Sequence, residues 1–196
     1  MAGGRYWGAL LRYLTHPEVH VDPAVPVPKW SLSARGRSRA LAMLEQPWLA
    51  AVGRIVSSDE TKAIETARLV AEHLQLPFEI RVGIGENDRS SLGFVAPAEF
   101  EVLANAFFAQ PEQSIRGWER AVDAQRRIAQ GLADLLTPAE RDVLVVGHGG
   151  VGTLWFCFLN GLAIDRCHDQ PGQGHYFSVD QRTRRAEHGW RPIDAL

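Results

Sequence analysis

The sequence predicts an α/β fold: a three-layer sandwich with a mostly parallel central sheet, helices on both faces and a C-terminal hairpin. Three observations predict it. Short apolar runs of strand length alternate with segments whose apolar residues recur at helical spacing, the order of a sheet covered on both sides. DVLVVGH (142–148) is apolar almost without interruption, as a strand in the middle of a parallel sheet must be when both its faces are buried. Near the end, GHYFSVDQRTRRAEHGW reads as two strands folded back around a turn near Asp180–Thr183. A length of 196 residues, 45% hydrophobic and 22% charged, suits one α/β domain spanning 1–196.

Each element follows from local chemistry. GALLRYLTH (8–16) is short, apolar and aromatic, and reads as a strand ending at His16. Pro17 lacks an N–H and pushes His16 out of helical geometry, so this histidine falls at a strand end or in the loop beyond. DPAVPVPKW (22–30) carries three prolines and predicts an extended surface loop. A helix is expected over 33–46, capped by Ser33, with Leu41 and Leu44 on its apolar face. GRIVSS (53–58) is a second strand, and DETKAIETARLVAEHL (59–74) an amphipathic helix with acids in its first turn. FEIRVG (78–83) is a third strand, and 84–96 has no period and reads as loop. Helices are expected over 97–109 and 117–136. The run GGVGTLWFCFLNGL after His148 continues as a buried helix.

Composition excludes several function classes. A net charge of −2 gives no overall reason to expect nucleic acid or an anionic membrane as partner, and the arginines of 35–37 and 182–185 read as solvated faces. No run approaches the roughly 18 apolar residues of a membrane span. The N-terminal stretch, with Arg5 and Arg12, is broken too early for a signal sequence, so the cytoplasm is the expected location. Cys157, inside WFCFL, reads as a small core residue, and neither it nor Cys167 has a CxxC partner. The oligomeric state is open, with a homodimer compatible.

In parallel α/β sheets, ligands bind outside the carboxyl ends of the strands. His16, Ser57-Ser58 and His148 all fall at predicted strand C-termini. Each has a plain reading: a hydrogen-bonded structural histidine, a helix cap, and a tight glycine turn. Together, the segments LTHPEV, SSDETKAIETA and VLVVGHGGVGTLW resemble the histidine phosphatase superfamily, in its phosphoglycerate-mutase-like branch. That family's first motif is usually Arg-His-Gly-Glu after a strand. Its second is Ser-Ser followed by an arginine and a Thr-Ala pair, and its third is a strand running into His-Gly-Gly. The likeness spans residues 9–160 in the family's order.

The resemblance implies phosphomonoester hydrolysis without metal or cofactor, on a small phosphorylated substrate. His16 stands at the position of the phosphorylated nucleophile and His148 at that of the second pocket histidine. Lys62 takes the place of the second-motif arginine. Glu86 matches the acid/base carboxylate, with Asp88 as rival, and Glu18 matches the acidic residue after the first motif. Thr15 and Pro17 replace the first motif's arginine and glycine. Two guanidinium forks have thereby become one hydroxyl and one ammonium, and each lost charged hydrogen bond costs roughly 1.5–3 kcal/mol. Arg12 and Arg89 are the candidates to compensate. Lys62, a protonated His148, Ser58 and the N–H groups near Gly149 would receive the charge of the transferring phosphoryl group.

Rival readings are weaker. Gly147 to Gly152 fits GxGxxG, but the acidic residue expected about 20 positions on is missing from a second strand, and too little chain follows. His16 and His20 have helical metal-ligand spacing, yet Pro17 argues against a helix there. A catalytically weak or inactive anion-binding module of the same fold, or a phosphoglycerate-type mutase, remains as an alternative. A mutase in the resembled family usually has longer insertions around the pocket.

Overall fold

The computed structural model describes residues 8–195; the N-terminal stretch containing Arg5 lies outside them. Seven strands of the described residues form one sheet: β1 (Leu10–Thr15), β2 (Val52–Ser58), β3 (Phe78–Arg81), β4 (Asp142–Gly147), β5 (His175–Asp180), β6 (Arg185–Ala186) and β7 (Arg191–Pro192). Their order is β3-β2-β4-β1-β5-β6, with β7 also on β5. The pairs among β1 to β4 run parallel and those made by β5 run antiparallel. The sheet is therefore mostly parallel with a hairpin at one side, as the sequence predicts.

Among the described residues five α-helices cover the faces: α1 (Ala34–Ala42), α2 (Thr61–Leu74), α3 (Pro97–Ala109), α4 (Ala121–Gly131) and α5 (Gly149–Asn160). Strand alternation divides the core into two. Leu11, Tyr13, Val143 and Val145 pack with α3, α4 and α5, whereas Leu14, Leu144 and Val146 pack with α2 and Met43. β4 is buried at every position, which explains its unbroken apolar run. Among the described residues no helix is long and apolar enough to cross a membrane.

Three sequence expectations shift. Leu41 is 46% exposed and does not face the core; the buried line of α1 is Gly36, Ala40 and Met43, at helical spacing. A Cβ on Gly36 would stand 2.0 Å from the Glu18 carbonyl oxygen, so this glycine lets the helix lie against the chain after β1. The α2 helix begins two residues later than expected, leaving Glu60 extended at its N-cap position. The helix expected over 117–136 begins only at Ala121, because Arg116 and Gly117 take positive φ in a turn, and ends in a 3-10 segment, Ala133–Leu136.

The parallel register sets the site. Thr15 pairs with Gly147 and Ser57 with Val146, so β1, β2 and β4 end at one edge. His16 and His148 each follow directly from a neighbouring strand, and the His16 N–H donates to the Gly147 carbonyl at 3.1 Å.

Candidate active site

His16 leaves β1 just where the chain turns, and Pro17 fixes that turn. Its Nδ1 lies 2.8 Å from the Pro17 carbonyl oxygen, an acceptor only, so Nδ1 carries the proton and Nε2 keeps the lone pair. Burial first, then the positive charges of His148 and Lys62, push the His16 pKa down to about 3. The ring is neutral at neutral pH.

His148 is wholly buried between β4 and α5. Its backbone is clamped by Tyr13, whose hydroxyl accepts from the His148 N–H and donates to the His148 carbonyl, both at 3.1 Å. The two imidazole centroids are 5.2 Å apart at a steep 66°. His148 Nε2 is 2.6 Å from Ser58 Oγ and 3.5 Å from Glu60 Oε1, while Nδ1 has no partner among the described residues. Burial lowers the His148 pKa, opposed by the Glu60 and Glu86 carboxylates.

Beneath the histidines lies an ion pair. Lys62, 3% exposed, donates to the Glu60 carboxylate and, at 2.9 Å, to the Val27 carbonyl. Glu60 Oε1 also accepts the Glu86 N–H at 2.8 Å. Burial alone would raise the Glu60 pKa, but the charges of His148 and Lys62 and these hydrogen bonds outweigh it and bring it down to about 2. Glu86 is bound by backbone: its carboxylate accepts from Gly150 and Val151 at 3.1 and 3.0 Å, and from Asn87 at 3.0 Å. Burial would raise its pKa too, yet Arg89, His148 and the Asn87 N–H hold it below the usual carboxylate range. It therefore caps the first turn of α5 as an anion.

A cleft of about 700 Å³ opens beside these groups, lined by His16, Lys62, Glu86, Arg89 and Gly149. The neutral His16, its tautomer fixed, thus adjoins a cleft walled by an ammonium and a carboxylate, whereas His148 has no exposed surface and stands behind His16, outside the cleft lining. The profile of the histidine phosphatase superfamily (branch 1) matches residues 26–190. The chain belongs to the histidine phosphatase superfamily. No curated protein matches the chain by sequence. Among solved structures, a mycobacterial glucosyl-3-phosphoglycerate phosphatase in complex with inorganic phosphate is 20% identical, with a TM-score of 0.79 over 96% of this chain and 100% of that one. A phosphoserine phosphatase of Entamoeba histolytica, in complex with 3-phosphoglyceric acid, is 16% identical with a TM-score of 0.75, over 96% and 100% of the two chains. YhfR of Bacillus stearothermophilus is 18% identical with a TM-score of 0.72, over 94% and 95%. At these identities the likeness shows the fold and leaves the substrate undecided.

The matched segment of the chain starts after His16, so the strand register, not the profile, brings His16 to His148. Other expected residues fall in different places. Thr15 and Ser58 do not line the cleft: both are buried, and Thr15 Oγ1 donates to Gln170 Oε1 at 2.7 Å while Ser58 meets His148. They position other side chains. Arg12 is excluded as a compensating cation, because it pairs with Asp142 at the opposite end of β4 and stacks on Trp48. Arg89 does line the cleft, stacked over Phe100 and Trp118 at 5.1 and 5.6 Å. Glu18 is bound by Arg35 and Arg39 instead. Asp88 is exposed and caps a turn by accepting the Ser90 N–H at 2.8 Å, outside the cleft.

Sequence reasoning missed Glu60, because acids in a first helical turn are explained by the helix dipole. The available signal was its place between Ser58 and Lys62, both fixed to the site. It also missed Trp30 and Gln170, which line the cleft from loops without any motif.

Proposed function

We propose that this histidine phosphatase hydrolyses phosphomonoesters through a phosphohistidine on His16. The observation that carries the reading is the fixed tautomer: with Nδ1 committed to the Pro17 carbonyl, Nε2 is the ring's free nucleophile, and burial keeps it unprotonated. In the first step the Nε2 lone pair forms the N–P bond as the bond from phosphorus to the leaving oxygen breaks. Charge spread over the three equatorial oxygens is met by Lys62, Arg89 and the Gly149 N–H, with His148 beside them.

The leaving oxygen needs a proton, and Glu86 is an anion before substrate arrives. The proton comes with the substrate. A phosphomonoester monoanion, whose second ionisation lies near pH 6, carries it into the cleft, where the incoming negative charge raises the proton affinity of Glu86. Glu86 then gives it to the leaving oxygen. In the second step water attacks phosphorus, Glu86 takes the water's proton, the N–P bond breaks, and Glu86 passes that proton to the departing phosphate, restoring neutral His16 and the Glu86 anion. No step calls on a metal or a cofactor.

A second reading has its own support. The Lys62 charge is matched by Glu60, and the remaining cleft cations Arg89 and Arg166 stand against Glu86, Glu101 and Asp169. With three cations against four carboxylates, the pocket has no surplus positive charge for a transition state, which favours an anion-binding module with weak turnover. An assay with p-nitrophenyl phosphate separates the two readings. Release by the wild type that vanishes in His16→Ala supports the phosphatase, and equal traces from both support the binding module. Arg89→Ala is expected to lower kcat/KM about tenfold, the scale of one charged hydrogen bond; wild-type kcat/KM would remove Arg89 from the phosphate site.

A further inference from the structure

The cleft also has an aromatic lining. Val27, Trp30, Phe94, Phe100 and Trp118 all border it, and Phe100 and Trp118 carry the Arg89 guanidinium. Trp30 and Phe94 come from loops far apart in sequence and meet with ring centroids 6.2 Å apart. Phe100 and Trp118 form a second pair at 5.9 Å. Phe94 is 38% exposed, an apolar ring left facing solvent at the cleft wall.

The polar groups near these rings are largely spent. The Trp30 indole N–H donates to the Asp22 and Val25 carbonyls at 2.9 and 3.0 Å, so Trp30 offers a ring and no donor. Arg166 is held by Glu101 and Asn105, both at 2.6 Å, and Gln170 Oε1 accepts from Thr15. Among the described residues, Arg89 is the cleft cation without a carboxylate partner within ion-pair distance. If it serves the phosphoryl group, no cation remains for a second anionic group on the substrate. Sugar hydroxyls would find mainly ring faces, with Asn87 Nδ2 and Trp118 Nε1 the buried donors of cleft residues that lack a partner among the described residues.

We infer that the preferred substrate is a phosphomonoester whose alcohol or phenol carries a flat, uncharged, mainly apolar ring system, lying against the paired rings of Trp30 and Phe94 on the cleft wall. Stacking and burial of such a ring favour it over a sugar or a carboxylate of equal size. This rests on the phosphatase reading above and narrows it.

The test compares kcat/KM for 1-naphthyl phosphate, glucose 6-phosphate and 3-phosphoglycerate, in the wild type and in Trp30→Ala and Phe94→Ala. 1-Naphthyl phosphate is expected to lead by about tenfold or more, the scale of one well-stacked ring. Each variant is expected to lower the naphthyl-to-glucose ratio about tenfold, mainly through a higher KM for the naphthyl ester. The exposed Phe94 ring makes its variant the safer one for folding. Equal or better cleavage of either polar ester, or variants that weaken all three esters alike, overturns the inference while leaving the phosphatase intact. Release from none of the three removes both.

Discussion

The neutral His16 ring ties stability to pH in a definite direction. Its pKa in the folded chain is about 3, below the ordinary 6.5, so between those values the unfolded chain binds a proton that the folded chain refuses. Stability therefore falls as pH drops from about 6.5 towards about 3. Glu60 acts with the same sign at lower pH. Its carboxylate titrates at about 2 in place of 4.5, so its contribution is complete above 4.5 and is lost as pH falls through 2. Urea midpoints should decline on acidification from about pH 6.5 to about pH 4.5, and His16→Gln should flatten that decline. A midpoint that does not move across this window in the wild type contradicts a buried neutral His16. Glu60→Gln leaves the Lys62 ammonium buried without its counter-charge, a loss of about 3–5 kcal/mol by urea denaturation.

At the scale of elements, the start of α5 carries the geometry. A Cβ on Gly150 would stand 2.7 Å from Glu86 Oε1, so Gly150→Ala should push the carboxylate off the helix terminus. Misplacing a catalytic group by about an ångström costs up to about a hundredfold. The expected result is a fall of ten- to a hundredfold in kcat with little change in thermal midpoint. Gly36→Ala is the counterpart in the scaffold: its new methyl group meets the Glu18 backbone, and a loss of about 1–3 kcal/mol in urea stability is expected. The strands were legible because apolar runs ending in histidine or serine leave few alternatives. The face of α1 was not, since its buried line runs through a glycine and an alanine, whose small side chains give a hydropathy pattern little to register. The late start of α4 turns on Arg116 and Gly117 in left-handed backbone, which sequence spacing does not encode.

Over the whole molecule, the site is an assembly of distant segments. The ends of β1 and β4 supply the histidines, the turn after β2 supplies Glu60, the first turn of α2 supplies Lys62, and the loop after β3 supplies Glu86 and Arg89. His16, His148, Lys62 and Glu86 were legible because strand ends in a parallel sheet converge and the motifs mark them. Trp30 was not, because a proline-rich loop reads as surface until the opposing loop with Phe94 is known to face it. Gln170 was hidden for the same reason, being tied to Thr15 only through the folded sheet. A site assembled this way should rigidify when an anion fills it. Inorganic phosphate at a hundred times its Kd should add about 2.7 kcal/mol to stability, read as a rise in thermal midpoint that His148→Ala diminishes.

The central claim is that phosphorus becomes covalently attached to one ring nitrogen. The direct measurement is to quench the protein during turnover of p-nitrophenyl phosphate, at alkaline pH, and locate the phosphoryl group by peptide mass spectrometry. An acid-labile phosphoryl group on His16 is expected, absent from His16→Ala, which also releases no p-nitrophenol above background. Turnover by His16→Ala at the wild-type rate, or a phosphoryl group trapped on another residue with His16 unmodified, would contradict it.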